Sequence, residues 1–103
     1  MITRKLQTDI VDYVYNKINS IKLIINNTTT TATIKSKIKG VGYIDIYVDV
    51  SFSSSSDILN GAIIYDSSNN ILAKELPNLT YNVQSATYIF RLKILSNEQI
   101  LEE

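Results

Sequence analysis

The 103-residue chain contains no cysteine, no histidine and no tryptophan, and only one proline and three glycines. The missing cysteine and histidine exclude thiol nucleophiles, imidazole bases, disulfide frameworks and zinc sites built on those ligands. Without cysteine, the sequence carries no signal of redox compartment. No apolar run approaches the roughly 20 residues of a membrane span, and no basic start leads into an apolar leader core. No membrane partner and no signal-peptide secretion are therefore expected, and the sequons at Asn26, Asn27 and Asn78 read as accidents of a chain rich in Asn, Ser and Thr. There is no phosphate-binding glycine loop and no nucleophile elbow. Charge of one sign is also lacking: ten basic and ten acidic residues cancel, which argues against a dedicated nucleic-acid binder. The charges are unevenly spread, with seven cations against Asp9 and Asp12 in residues 1–40 and three cations against eight anions in residues 41–103. Such a split suits head-to-tail contact between copies or with neighbours, although an ordinary solvated surface also accounts for it.

What the chain does have is one change of hydrophobic rhythm near Ile21. Ile2, Leu6, Ile10, Val14, Ile18 and Ile21 recur every three or four residues, the spacing that lines one face of a helix. Beyond them, the apolar residues alternate, most clearly at Ile44, Ile46, Val48, Val50 and Phe52, as in strands with one buried face. An amphipathic helix is predicted from about Thr3, a candidate cap, to Ser20, with Tyr13 and Tyr15 flanking its stripe. Ile21 to Ile25 reads as a first strand, Asn26 to Thr30 as a polar loop, and Thr31 to Lys39 as a strand. That strand presents Ala32, Ile34, Ser36 and Ile38 on one side and Lys35, Lys37 and Lys39 on the other. Gly40 and Gly42 mark a tight turn. Tyr43 to Phe52 returns as the longest strand, and Ser53 to Asp57 reads as a serine loop. Asn60 to Tyr65 and Ile71 to Leu76 form a hairpin around Asp66 to Asn70, and Leu79 to Val83 and Ser85 to Leu95 complete the set. The fold class is mainly β: an N-terminal amphipathic helix over 1–20, a small antiparallel β-sandwich of six or seven strands over 21–95, and an acidic tail over 96–103. That tail either forms a capped turn through Ser96 and Gln99 or frays.

Few residue groups carry chemistry. Asp45 and Asp49 share a strand face at about 13 Å, beyond the roughly 5 to 9.5 Å of glycosidase carboxylates, so cross-strand pairing with lysines explains them better. Asp66, Ser68 and Asn70 faintly echo a calcium loop but lack its central glycine and terminal glutamate, and read as a hairpin turn. Tyr43 and Tyr47, with Lys35 and Lys37 on the neighbouring strand, make a candidate ligand surface of the kind that stacks on sugars or single-stranded nucleic acid. No cofactor, metal or catalytic residue is expected.

The opening Met1-Ile2-Thr3-Arg4-Lys5, the helix through Asp9-Ile10 and Tyr13-Val14 to Ile18, the hairpin Ile63-Ile64-Tyr65-Asp66-Ser67-Ser68-Asn69-Asn70-Ile71 and the closing strand Tyr88 to Ile94 together resemble a family of small proteins. These are encoded beside tail-fibre and baseplate genes in phages, prophages and tailocins of Gram-positive bacteria, and some members carry a ketopantoate hydroxymethyltransferase label. The Asn26 to Thr31 stretch and the serine loop depart from that pattern. The resemblance implies a non-enzymatic virion or tailocin component near the tail tip, baseplate or fibre, oligomeric and partnered by other tail or baseplate proteins. It implies synthesis in the bacterial cytoplasm and residence in the particle. On this expectation Leu6, Ile10, Tyr13, Val14, Tyr15 and Ile18 are the candidate assembly interface. The alternative is a small β-sandwich module that recognises a cell-surface glycan through Tyr43 and Tyr47.

Overall fold

The computed structural model describes residues 1–52 and 56–101. They form one helix, α1 (Arg4–Lys17), and eight strands: β1 (Ser20–Ile25), β2 (Thr28–Ala32), β3 (Ile34–Lys39), β4 (Tyr43–Ser51), β5 (Asp57–Tyr65), β6 (Ile71–Glu75), β7 (Leu79–Tyr81) and β8 (Ser85–Lys93). All strand pairs are antiparallel. One sheet runs β2-β1-β5-β6, with β7 continuing the β6 edge alongside β5, and the other runs β3-β4-β8. The mainly β sandwich with an N-terminal helix is thus as expected, with eight strands in place of six or seven. Part of the serine loop read over 53–57, and Glu102 and Glu103 of the tail, lie outside the described residues.

The core lies between the sheets. Ile44, Ile46, Val48 and Val50 of β4 meet Ile21 and Leu23 of β1, Leu59, Ala62 and Ile64 of β5, and Tyr88 and Phe90 of β8. At the far end Phe52 stacks on Tyr81 with ring centroids 4.8 Å apart. Alternation places these side chains, but register shifts interrupt it in β3, in β5 and, at Leu72, in β6, and the first two decide which residues take part. In β3, Lys35 is the extra residue: Ile34 pairs with Val48, but Ser36 pairs with Tyr47 and Lys37 with Ile46. The bulge reverses the faces beyond it. Lys37 and Lys39 turn inward toward α1, and Ile38 turns outward, where it is 53% exposed. The single lysine face expected from strict alternation is corrected accordingly. In β5 the bulge falls at Asn60, between Leu59, which pairs with Ile25, and Gly61, which pairs with Ile24. It moves the core positions from 57 and 59 to 62 and 64.

The expected polar loop over Asn26 to Thr30 is instead a two-residue turn and a strand. Asn26 and Asn27 both adopt positive φ, 50° and 64°, the requirement of the tightest hairpin turns. Asn26 then ties the turn to β5: its backbone N–H donates to Ile58 O, and its side chain accepts from Ile58 N and donates to buried Asp57, all at 2.9 Å. Thr28 to Thr31 are exposed on both faces, so β2 shows no hydrophobic alternation although every threonine is β-branched and suits a strand. Only Thr33 separates β2 from β3, and there the chain passes from one sheet to the other.

The helix begins as expected, with Thr3 Oγ1 accepting from Leu6 N at 3.1 Å. Its buried stripe is not the expected one. Gln7, Val11 and Ile18 are buried with Val14 and Tyr15 packed beside them, whereas Leu6 is 46% exposed and Ile10 half-buried. In the first half of the helix the stripe is shifted by one residue, from Leu6 and Ile10 to Gln7 and Val11, whereas Val14 and Ile18 belong to both. The shift is set by Gln7, whose Oε1 accepts from Gly42 N at 2.7 Å. Gly42 O in turn accepts from Ile94 N and Leu95 N at 2.8 and 3.0 Å, so one turn joins the helix, β3, β4 and the end of β8. Gly42 has φ 80°, and an added Cβ would lie 2.4 Å from Leu95 O. Lys37 closes the other end of the helix, donating to Tyr15 O and Ile18 O at 3.0 and 3.3 Å, where helix carbonyls lack partners and the dipole favours a cation. The tail is packed as far as Leu101: Asn97–Gln99 form a 3₁₀ turn, Ile100 is buried, and Ile2 pairs in parallel with Ile100.

The bulge in β3 makes a sharp prediction. Ile46→Ala should cost about 2–5 kcal/mol of unfolding free energy, and Ile38→Ala less than about 0.5 kcal/mol, measured by urea denaturation. An unbulged strand would make both substitutions costly.

Candidate interaction surfaces

The six residues of the expected assembly interface do not share one exposure. Ile18 belongs to the chain's own core and Val14 and Tyr15 pack against it, so these three serve folding. Tyr15 donates from its hydroxyl to Lys37 O at 3.4 Å and lies beneath the ammonium groups of Lys37 and Lys39 at 4.2 and 5.0 Å. Leu6, Ile10 and Tyr13 remain on the outward flank of α1, a stripe at four- and three-residue spacing that continues to Lys17, whose ammonium sits 5.4 Å from the Tyr13 ring. Tyr13 is 65% exposed. This flank borders a groove of about 510 Å³ lined by Tyr13, Val14 and Lys17 of α1, Asp66 of the turn before β6, Leu72 of β6, and Leu92, Lys93 and Ile94 at the end of β8. Its surface is mostly apolar, with the charged side chains of Lys17, Asp66 and Lys93 among the lining residues.

The second candidate surface is the outer face of β3-β4-β8. Tyr43, Asp45, Tyr47 and Asp49 alternate on β4 and all point outward, as expected. Lys35 reaches Asp49 at 3.8 Å, but both side chains are well exposed, so the pair adds little. Lys37 is on the opposite face and leaves this surface. The residue that organises it is Arg91, directly across from Asp45 on β8. Its Nε and Nη2 donate to the two Asp45 carboxylate oxygens at 2.8 and 2.9 Å, the paired geometry of a strong guanidinium–carboxylate bond. The guanidinium carbon also lies 3.9 Å from the centre of the Tyr43 ring, a cation–π contact. Gly40 sits against the same ring, within 2.5 Å of where its Cβ would be. One face of Tyr43 is thus occupied by Arg91, and only half-buried Tyr47 keeps an uncommitted ring. Arg91 could have been found from the sequence by pairing Tyr43 to Ser51 with Lys93 to Ser85, which sets Asp45 opposite Arg91.

Electrostatics follows these contacts. The Arg91 hydrogen bonds hold the Asp45 carboxyl below the usual carboxylate range, against an opposing desolvation cost. Asp66 is lowered as well, first by the Asn70 N–H and then by the Asn70 side chain and Ser68 N–H. Asp66 Oδ1 accepts from Ser68 N and Asn70 N at 2.9 Å, which makes Asp66 to Asn70 a carboxylate-anchored turn, with Asn69 at φ 63°. Glu75, on the inward side of edge strand β6, is raised by burial. Among the described residues, no three acidic side chains gather to hold a metal, and no helix is long and apolar enough to cross a membrane. Comparison with protein-family models, with curated proteins and with solved structures found no match to this chain.

The Asp45 pairing carries a pH dependence. Because its folded pKa lies below the unfolded value of about 3.9, the unfolded chain binds the extra proton between the two. The stabilisation is complete above about pH 5 and lost as pH falls through the folded value. In thermal melts from pH 6 to pH 3, Asp45→Asn should lower Tm at pH 6 and flatten the acid-side decline relative to the parent protein.

Proposed function

We propose that this chain is a non-enzymatic structural protein of a phage tail or tailocin, placed at the tail tip, baseplate or fibre and acting through protein–protein assembly. The carrying observation is the outward flank of α1, where Leu6, Ile10 and Tyr13 stand exposed or half-buried beside the apolar groove of Leu72, Leu92 and Ile94. Apolar groups gathered at one place on a small protein suit a partner surface. The resemblance of the opening segment, the Ile63 to Ile71 hairpin and the closing strand to tail-associated proteins supplies the setting. Two of the ionisable groups with shifted pKa values hold the chain's own fold: Asp45 with Arg91 clasps two strands, and Asp66 holds a turn. The occupied Tyr43 ring weakens the glycan-binding alternative, which keeps the Tyr47 ring alone.

The test is to induce particles from a strain carrying the gene with wild-type or variant sequence, purify them on a density gradient, and quantify the chain by mass spectrometry. Wild type should co-purify with tails. Leu6→Glu with Tyr13→Glu should reduce incorporation at least tenfold with an unchanged Tm, because both side chains lie outside the core. Removal of the whole helix is a poorer experiment, since Val11 and Ile18 are core residues. Absence of the wild-type chain from tail particles overturns the proposal.

A further inference from the structure

The sandwich has two sides at which its sheets end, and they are guarded differently. On one side lie β2, a run of exposed threonines, and β3, with its lysines and a bulge. Charge and bulges on edge strands discourage pairing with other chains. On the other side lie β6, β7 and β8, where Ile71, Leu72, Leu76, Leu79, Val83 and Ile89 are all exposed. There β6 is guarded by the inward-turned Glu75 and separated from β7 by Pro77. Strand β8 carries Arg91 and Lys93 on its outer face but has no inward-turned charge and no proline. It runs nine residues with no bulge, every one in register with β4 on its inner edge, and no described strand pairs with its outer edge.

We propose that this outer edge of β8 pairs antiparallel with β8 of a second copy about a two-fold axis at Ile89, joining two three-stranded sheets into one of six. The sequence of β8 is complementary to itself in that register. Ile89 is the midpoint of Ser85–Lys93, so it meets its own copy, while Thr87 faces Arg91 and Ser85 faces Lys93, and no two like charges stand opposite. On the inner side Ala86 faces Leu92 and Tyr88 faces Phe90, which continues the apolar core from one protomer to the next. A two-fold contact of this kind closes on itself and does not propagate into a fibre. It shares Leu72 and Leu92 with the groove beside α1, but the Ile89→Cys crosslink reads it apart from incorporation into tails, so its failure and that of the tail assignment are distinguishable.

The absence of cysteine makes the test direct. The purified chain should have twice its monomer mass by light scattering. Ile89→Cys places one thiol on the axis, where opposed Cα atoms lie about 4.5–5.5 Å apart, within disulfide reach. Mild oxidation should convert it to a covalent dimer. Thr87→Cys sets its two thiol positions about 13 Å apart along the strands and should stay uncrosslinked. Ile89→Lys should give a monomer with an unchanged circular dichroism spectrum, because Ile89 is 48% exposed in the single chain. A monomeric parent protein at every concentration overturns the proposal, including one that takes up a strand from another protein. So does a dimer that fails to crosslink through Ile89→Cys, or crosslinks as readily through Thr87→Cys.

Discussion

The inward side of β4 is the surface on which the fold depends. Ile44, Ile46 and Val48 are wholly inaccessible and Val50 nearly so, and the other elements close around them. Strands β3 and β8 hold β4 by backbone pairing, while β1 and β5 cover it from the opposite sheet. The helix seals the end near Gly42. Because a chain of this size buries only about two thirds of the surface its unfolded form exposes, few side chains are spare. This explains why Val11, Val14, Tyr15 and Ile18 are committed to the core and only one flank of α1 is left for a partner.

Polar interactions then determine how the elements are oriented. Gln7 sets the rotation of the helix through a single bond to Gly42, and Lys37 closes the helix where it would otherwise leave carbonyls without donors. Asn26 extends the β1–β5 ladder through its side-chain amide, and Asp66 gathers the N–H groups of its own turn. Arg91 and Asp45 clasp the outer face of the smaller sheet. For the buried Gln7, Asp45 and Asp57 these bonds replace the water lost on folding, as burial requires. The charged and aromatic residues that suggested a ligand surface are largely spent on one another in this way.

The exposed surface is correspondingly uneven. Threonines and lysines occupy one side of the sandwich, and aliphatic residues occupy the other side and the flank of the helix. An isolated small domain gains nothing from such a division. A component that is covered on two faces gains much, and the two proposed contacts differ in kind: side-chain docking along α1 and backbone pairing along β8. Assemblies built from small subunits need at least two distinct contacts, one to close a local symmetric unit and one to attach it to something larger.

The chain of amino acids by itself determined the helix-then-sheet order, the cap at Thr3, the length and outward pattern of β4, the Gly40–Gly42 turn and the Asp66 turn. All of these follow from local spacing and the backbone preferences of single residues. It did not disclose β2, because four consecutive threonines favour a strand without marking either face. Nor did it disclose the face of each residue beyond Ile34 and Asn60, because one inserted residue reverses the two-residue period and leaves no trace in composition. The apolar spacing of the helix marked Leu6 and Ile10, because Gln7, a polar residue that is buried only by bonding to the distant Gly42, gives no hydrophobic signal. Arg91 became the partner of Asp45 only when β8 was laid beside β4. Tertiary structure decided these points because each depends on a group distant in sequence, and local periodicity carries no information about which distant group will satisfy it.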